Sequence, residues 1–278
     1  MGRFDGKVAI VSGAGCRAPG EGEVAEPGVG AWAAILMAQQ GAQVVVVDLE
    51  AGRAERTCAE AGELRRGALV PLTVDGATAA GCRAMVETAV ERFGRLDVLI
   101  NNVASMQVNE VVDTDEEEWD RSMTINAKSL FLACKAAIPV MAHTGGGSIV
   151  AVSSIAAVRG YGTGAYAAAK GAGVSLMIDI AASYGSQGIR ANVVMPGHIR
   201  SAFKAESVWP GHEHILDDEL RRKAAPLGTY GLGRDVADAA VFLASDDARW
   251  ITGVVLPVDA GTLTVTPTMM FPTMSRPD

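Results

Sequence analysis

The chain has 278 residues, of which 49% are apolar and 20% charged, and its formal net charge at pH 7 is −8. These values are typical of a globular protein, and the negative charge argues against nucleic acid or an anionic membrane surface as the main partner. No apolar run approaches the roughly 18 residues of a spanning helix, and no signal-peptide pattern is present, so we expect a cytoplasmic protein. The cysteines lack C-x-x-C spacing, which favours free thiols over zinc or disulfides.

Strand-like and helix-like segments alternate along the whole chain. Short, continuous apolar runs, as expected of parallel strands buried on both faces, occupy residues 8–12, 43–48, 68–74, 96–101, 147–152, 190–195 and 254–258. Helical patterns fill the gaps, notably 114–142, 164–187 and 233–245, and the first of these begins with Thr114 and Glu117 in capping-box spacing. The prediction is an α/β fold: one doubly wound, Rossmann-type domain over 1–278, with a mainly parallel seven-stranded sheet and helices on both faces.

Two irregular stretches, 14–27 and 198–228, begin where predicted strands end. Ligands of doubly wound folds bind beyond the carboxyl ends of the strands, so these stretches are the candidate cofactor loop and substrate lid.

The first strand leads into a glycine-containing turn and a helix. Gly13 follows the strand, Gly28, Val29 and Gly30 begin the helix, and Asp48 ends the second strand. Glycines allow a pyrophosphate to approach the helix N-terminus, and a strand-end carboxylate can accept hydrogen bonds from the adenosine ribose while repelling the 2′-phosphate of NADP. A glycine-rich surface loop and an ordinary strand-end acid are the structural alternatives.

The middle of the chain carries polar groups suited to alcohol oxidation. Tyr166 and Lys170 lie four residues apart and share one helix face, the strand IVAVSS brings Ser153 and Ser154 to the sheet edge, and Asn126 lies in the long helix. Taken singly, each has a purely structural explanation. Tyr166 would be an aromatic residue of the core and Lys170 a solvated side chain. The two serines would end a strand, and Asn126 would kink the helix. Together, on consecutive elements of a nucleotide-binding fold, they favour an oxidoreductase.

Over nearly its whole length the sequence resembles the short-chain dehydrogenase/reductase family. The resemblance rests on the Y-x-x-x-K pair, FGRLDVLINNVA, MPGHIRS, and the segment GRDVADAAVFLASDDARWITGVVLPVDAG. It implies that Tyr166 is the general acid/base and that Lys170 lowers the pKa of its phenol and holds the nicotinamide ribose. It also implies that Ser154 binds the substrate oxygen and that Asn126 fixes a water linking Lys170 to solvent.

The resemblance further implies NAD as cofactor. Contacts are expected from Asp75 to the adenine amino group, and from Asn102, Val103, Ala104, Pro196, Gly197 and Ile199 along the ribose and nicotinamide. Arg17 could accommodate a 2′-phosphate and so favour NADP, whereas Glu50 opposes that.

The chain departs from the family pattern at several positions. The glycine turn is extended by eleven residues, Ala104 and Ser201 replace the usual glycine and threonine, and the catalytic serine is ambiguous. Ser153 has the commoner spacing to Tyr166, whereas Ser154 has the commoner local context and is the predicted residue.

The substrate is expected to be a small secondary alcohol or ketone. Phe203, Trp209 and Leu216 in the lid favour a cyclic or hydrophobic one. His212, Glu213 and His214 could be drawn as a metal site, but a solvated lid is favoured and no metal is predicted. The alternatives are an NADPH-dependent 3-oxoacyl-type ketoreductase and an inactive NAD-binding regulatory protein. The apolar tail 262–278, together with the resemblance, predicts a homo-oligomer, a tetramer.

Overall fold

The computed structural model describes residues 2–17, 27–62, 66–201, 203, 207–208 and 218–265, and the features below belong to these ranges. Seven strands form the central sheet: β1 Val8–Ser12, β2 Gln43–Asp48, β3 Ala68–Thr73, β4 Val98–Asn101, β6 Gly147–Val152, β7 Ile189–Pro196 and β11 Val255–Val258. Two-residue strands form two small ladders: β5 Gln107–Val108 with β9 Ser207–Val208, and β8 Ile199–Arg200 with β10 Gly231–Leu232.

The strands run parallel in the order β11-β7-β6-β4-β1-β2-β3. The chain starts in the middle of the sheet, builds outward to β3, and then returns to β4 on the other side of β1. This reversal leaves a crevice beyond the carboxyl ends of β1 and β4, where doubly wound sheets bind ligands. The predicted fold class is confirmed.

Apolar side chains alternate between two core layers, one on each face of the sheet. Val44 and Val46 point into one layer, and Val45 and Val47 into the other, and all four are essentially inaccessible. A continuous valine run is stable here because both faces of a central parallel strand are covered. Because both faces of such strands are buried, they occur in the sequence as continuous apolar runs and can be predicted from it.

Eight α-helices are described: α1 Val29–Gln39, α2 Arg53–Glu60, α3 Ala79–Phe93, α4 Glu116–Met123, α5 Ser129–His143, α6 Gly164–Tyr184, α7 Asp218–Ala224 and α8 Gly233–Ala244. Helices α1 and α8 share one core layer, and α3, α5 and α6 share the other. This arrangement gives the helix–sheet–helix layering that the sequence predicts.

The predicted long helix 114–142 differs from the structure in two ways. A five-residue π-helical turn, Thr124–Lys128, separates α4 from α5. The predicted Thr114–Glu117 capping box is wrong, because Asp115 is the N-cap and its side chain accepts a hydrogen bond from the Glu118 N–H at 2.7 Å. The Thr114 hydroxyl instead donates to the Glu110 carbonyl, which closes the preceding turn. The other predicted elements differ from the structure only by short shifts at their ends.

In the described part of the chain, one helical stretch, Glu116–His143, is long enough and apolar enough to cross a membrane, judged by length and composition alone. Its buried side chains, among them Leu130, Ala133 and Met141, pack in the core layer beneath the sheet. That packing is the environment of a core helix in a globular protein. Of the predicted tail, 262–264 form a short 3-10 turn, and 266–278 lie outside the described residues.

Candidate active site

A cleft of about 650 Å³ opens beyond the carboxyl ends of the strands. Its walls contain most of the predicted site residues, namely Gly13, Gly28, Val29, Asp48, Asp75, Asn102, Val103, Ala104, Ser154, Tyr166, Lys170, Pro196, Gly197 and Ile199. Gly30 and Asn126 were also predicted but do not line it. The fold therefore brings groups that are distant in sequence to one site.

The glycine turn after β1 is packed tightly against the end of β4. Gly13 has a φ of +65°, and a Cβ there would lie 2.9 Å from the Asn102 backbone. A Cβ at Gly30 would lie 2.4 Å from the Gly13 carbonyl oxygen, which in turn accepts a 2.7 Å hydrogen bond from the Asn102 amide. Gly13 and Gly30 are therefore required by the protein's own packing.

Gly28 differs from these two glycines. It is the N-cap of α1, no side chain caps the helix there, and a Cβ would meet nothing within 4 Å. The first N–H groups of a helix have no partners within the helix, and they carry its partial positive charge. An open, uncapped helix start that lines the cleft fits a pyrophosphate, so the residues present are compatible with a dinucleotide.

Asp48 lies at the end of β2, at the far side of the same turn. Its two carboxylate oxygens accept hydrogen bonds from the backbone N–H groups of Gly15 and Glu50, each at 3.0 Å. A Cβ at Gly15 would lie 2.5 Å from the carboxylate, so this contact needs glycine. Each oxygen keeps acceptor capacity for a ribose hydroxyl. Arg17 lines the cleft as well.

The remaining predicted cofactor residues lie at other positions along the cleft. The Asp75 carboxylate accepts a 2.8 Å hydrogen bond from the Ala77 N–H and is exposed. Gly197 follows β7, and a Cβ there would lie 2.6 Å from Asp259 Cα. Val103 contributes its carbonyl oxygen, which lies 3.5 Å from Lys170 Nζ.

The two adjacent serines at the end of β6 have different partners. The Ser153 hydroxyl donates to the Lys170 backbone carbonyl at 3.1 Å, which ties the strand end to α6. Ser154 lies beside the side chain of Tyr166, where it acts to lower the pKa of the phenol, and its Oγ accepts a 3.2 Å hydrogen bond from the Ala156 N–H. Of the two, Ser154 is therefore the serine beside the phenol.

Tyr166 and Lys170 are both buried, at 6% and 4% exposure. Lys170 Nζ donates to the Val152 carbonyl at 3.1 Å and lies 5.7 Å from the centre of the Tyr166 ring. Burial lowers the pKa of Lys170 to about 8 and raises the pKa of Tyr166 to about 12, with Ser154 opposing the rise. Desolvation of the phenolate is the largest influence on the pKa of Tyr166 here, and the lowering of that pKa by Lys170 together with the nicotinamide ring stays a prediction.

Asn126 lies in the π-helical turn, and both its side-chain amide nitrogen and its Oδ1 make hydrogen bonds within the protein. Its amide donates to the carbonyl oxygens of Ser105 at 2.9 Å and Ser122 at 3.0 Å, while its Oδ1 accepts from the Ser105 N–H at 3.2 Å. The side chain therefore holds the loop after β4 against the turn. A water held for Lys170 could bind only as a hydrogen-bond donor to this side chain, at the second acceptor site of Oδ1, or at the backbone carbonyl.

Several cleft residues were not predicted from the sequence. They include Ser105, Tyr161 and Thr163, whereas Gly15 lies in the predicted cofactor loop and His198 and Arg221 lie in the predicted substrate lid. The ring of Tyr161 lies edge-on to that of His198, with centroids 5.5 Å apart, and burial raises the pKa of Tyr161 and lowers that of His198. Proximity to the Y-x-x-x-K motif was the available signal for Tyr161 and Thr163.

The alternative metal site at 212–214 lies outside the described residues. Within the described ranges, no group of three or more His, Cys, Asp or Glu side chains could hold a metal ion.

Comparisons with known proteins agree with this architecture. A family model described as enoyl-(acyl carrier protein) reductase matches residues 22–263. The chain is 36% identical over 239 residues to 2-(S)-hydroxypropyl-CoM dehydrogenase 3 of Xanthobacter autotrophicus, covering 84% of this chain and 92% of that one. It is 34% identical to D-threitol dehydrogenase of Mycolicibacterium smegmatis, covering 93% and 94% of the two chains. A solved 7α-hydroxysteroid dehydrogenase, complexed with NADH and 7-oxo glycochenodeoxycholic acid, superimposes with a TM-score of 0.80 at 29% identity, covering 93% and 95%.

Proposed function

The chain belongs to the short-chain dehydrogenase/reductase family, whose named relatives are oxidoreductases of alcohols and ketones, and we propose that it transfers hydride between NAD(H) and a secondary alcohol or its ketone. In this proposal Tyr166 is the general acid/base, Ser154 binds the reacting oxygen, and Lys170 and Asn126 complete the catalytic set. The carrying observation is that Ser154 lies beside the Tyr166 phenol and that Lys170 Nζ lies 5.7 Å from the centre of the Tyr166 ring, in the same cleft as the open start of α1.

The proposed proton transfer starts from these contacts. A substrate hydroxyl that enters between Ser154 and Tyr166 donates its proton toward the phenolate and accepts a hydrogen bond from the serine. The phenol needs nearby positive charge because burial raises its pKa to about 12. Lys170 is one source of that charge. Bound NAD⁺ supplies a second positive charge and accepts the hydride.

NAD is proposed over NADP on the position of Asp48. Its carboxylate is held at the end of β2 by two backbone N–H groups, where it would meet the adenosine ribose. A 2′-phosphate at this position would lie against a fixed negative charge. Arg17 also lines the cleft and would favour NADP, because its guanidinium could pair with the 2′-phosphate. Measuring the binding of both cofactors decides between the two residues.

A hydrophobic or cyclic substrate is proposed because Met106, Ile155 and Phe203 line the same cleft as Tyr166. The relatives' names include a hydroxypropyl thioether, a four-carbon polyol and a steroid, so family membership alone leaves a wide range of alcohols. We further propose that the protein is cytoplasmic, because its four cysteines are free thiols. We also propose that its single-domain chains form a homotetramer, because the tail is apolar.

The test is oxidation of a panel of secondary alcohols with NAD⁺, followed by the absorbance of the reduced cofactor. Turnover that Tyr166→Phe abolishes without loss of NAD⁺ binding supports the proposal. Intact NAD⁺ binding with no turnover of any panel member would favour the regulatory alternative.

A further inference from the structure

Thr163 lies immediately before helix α6, which carries Tyr166 and Lys170. It occupies the N-cap position of the helix, where a threonine side chain normally accepts a hydrogen bond from the first turn. Here the side chain makes no such bond. Its backbone conformation, with φ of −129° and ψ of 50°, lies outside the usual extended N-cap region.

The Thr163 hydroxyl also has no other partner. Thr163 is 5% exposed, and its Oγ1 is buried without a hydrogen bond to any protein group. An unpaired buried hydroxyl destabilises the folded protein, and most buried polar groups are hydrogen-bonded for that reason. A hydroxyl left unpaired in a wall of the candidate active site therefore calls for a functional explanation.

Thr163 lines the same cleft as the catalytic residues. It precedes Tyr166 by three residues, and side chains with this spacing at a helix start are neighbours, about 5–6 Å apart at Cβ. Rotation about the Cα–Cβ bond carries the hydroxyl of a threonine from one staggered position to another and breaks no hydrogen bond here. The hydroxyl can therefore turn to meet a ligand without losing an existing partner.

The neighbouring wall is polar as well. Tyr161 precedes Thr163 by two residues, and its ring packs edge-on to His198. His198 Nδ1 lies 3.3 Å from the Arg221 carbonyl oxygen, which requires the proton on Nδ1 and leaves Nε2 as an acceptor in the neutral ring. Polar groups beside the catalytic phenol favour a substrate with more than one oxygen.

We propose that Thr163 is a specificity-determining residue that binds a second oxygen function of the substrate, on a carbon next to or near the reacting carbinol. The hydrophobic or cyclic substrate proposed above is then a diol, polyol or hydroxyketone whose remaining carbons are apolar. This inference rests on the proposed function, in which Tyr166 deprotonates the reacting hydroxyl of the substrate. It adds what the rest of that substrate contains.

The test compares two matched pairs of alcohols: trans-1,2-cyclohexanediol with cyclohexanol, and 2,3-butanediol with 2-butanol. In the native enzyme kcat/KM is expected to favour each diol by about tenfold or more. Thr163→Val keeps the shape and removes the hydroxyl. It should lower kcat/KM for the diols by about the same factor, mainly through KM, and leave the mono-alcohols nearly unchanged.

Thermal unfolding of the unliganded variants provides a readout that does not depend on activity. Thr163→Val should unfold at the native temperature or above it, because no hydrogen bond is lost. The matched control is Thr57→Val, since the Thr57 hydroxyl is buried and donates to the Ala14 carbonyl at 2.7 Å. That control should unfold several degrees lower.

Three results would overturn the assignment of Thr163. The first is turnover without preference for diols, the second is an equal loss for both members of each pair, and the third is a Tm of Thr163→Val that falls as far as that of Thr57→Val. Absence of turnover with all four alcohols, under both NAD⁺ and NADP⁺, would instead contradict the proposed function on which the assignment rests.

Discussion

The hydroxyl of Ser153 donates a hydrogen bond to the backbone carbonyl of Lys170 at 3.1 Å, while Lys170 Nζ donates to the Val152 carbonyl at 3.1 Å. Strand β6 and helix α6 are thus tied by two hydrogen bonds of opposite direction. Ser153 is committed to this link, and Ser154 is left beside the Tyr166 phenol. The sequence left the choice of serine open, and the geometry favours Ser154.

Substitution of the two serines should therefore have different effects. Ser154→Ala is expected to lower kcat by about 10²-fold or more while NAD⁺ affinity stays near native, because the group that stabilises the reacting oxygen is lost. Ser153→Ala should instead lower the stability by about 1 kcal/mol and reduce kcat less. Steady-state kinetics and thermal unfolding of both variants check this, and the reverse pattern would identify Ser153 as the catalytic serine.

Tyr166→Phe should bind NAD⁺ as the native protein does and lose most turnover. The substitution removes only the hydroxyl group, and the aromatic ring keeps its packing at a site that is 6% exposed. Cofactor titration and single-turnover kinetics give the two quantities separately. Retained activity in this variant would mean that another group carries the proton.

Lys170 predicts a specific dependence of stability on pH. Its pKa is about 8 in the folded protein and 10.5 unfolded, so the unfolded chain binds more protons between these values. The cost of burying the ammonium is fully present below pH 8, and the native protein gains stability as the pH rises toward 10, by on the order of 3 kcal/mol at most. Lys170→Met has no such proton to release.

The measurement is the free energy of unfolding of native protein and Lys170→Met, by urea titration without cofactor, at pH 7, 8, 9 and about 10. The difference, native minus variant, should rise with pH across this window. A difference that stays constant would mean that the ammonium is not desolvated as described. Between pH 7 and about 9 the Tyr166 phenol stays protonated in the folded and unfolded states of both proteins, so the change over that range reports Lys170.

The two glycines at the start of α1 should separate folding from cofactor binding. A Cβ at Gly30 would lie 2.4 Å from the Gly13 carbonyl oxygen, so Gly30→Ala should destabilise the protein even without ligand. A Cβ at Gly28 meets nothing within 4 Å, so Gly28→Ala should fold normally and bind NAD⁺ at least tenfold more weakly, because the methyl occupies the pyrophosphate position. Calorimetric binding and thermal unfolding test both, and native affinity in Gly28→Ala would place the pyrophosphate elsewhere.

The sequence was most informative where the structure is periodic and buried. The bounds of β1, β2 and β6 agree with the predicted runs because central parallel strands are apolar on both faces. The Thr114–Glu117 cap was wrong by one residue, since Asp115 offers the same chemistry one position later. Local composition cannot distinguish such neighbours.

Other features depend on contacts that the sequence does not display. The π-helical turn holds Asn126 against Ser105, 21 residues earlier, and no local pattern marks that pairing. The raised pKa of Tyr166 follows from its burial by the whole fold. Thr163 has the sequence context of an ordinary helix cap, and only the structure shows that its hydroxyl is unpaired.

The most direct test of the account is the thermal stability of the protein without ligand, with NAD⁺ and with NADP⁺ at equal concentrations, repeated for Asp48→Ala. A ligand at about 100 times its Kd adds roughly 2.7 kcal/mol, which is a shift of several degrees. We predict a clear rise in Tm with NAD⁺, a smaller one with NADP⁺, and loss of this preference in Asp48→Ala. A larger rise with NADP⁺, or no rise with either dinucleotide, would contradict the proposed NAD-dependent oxidoreductase.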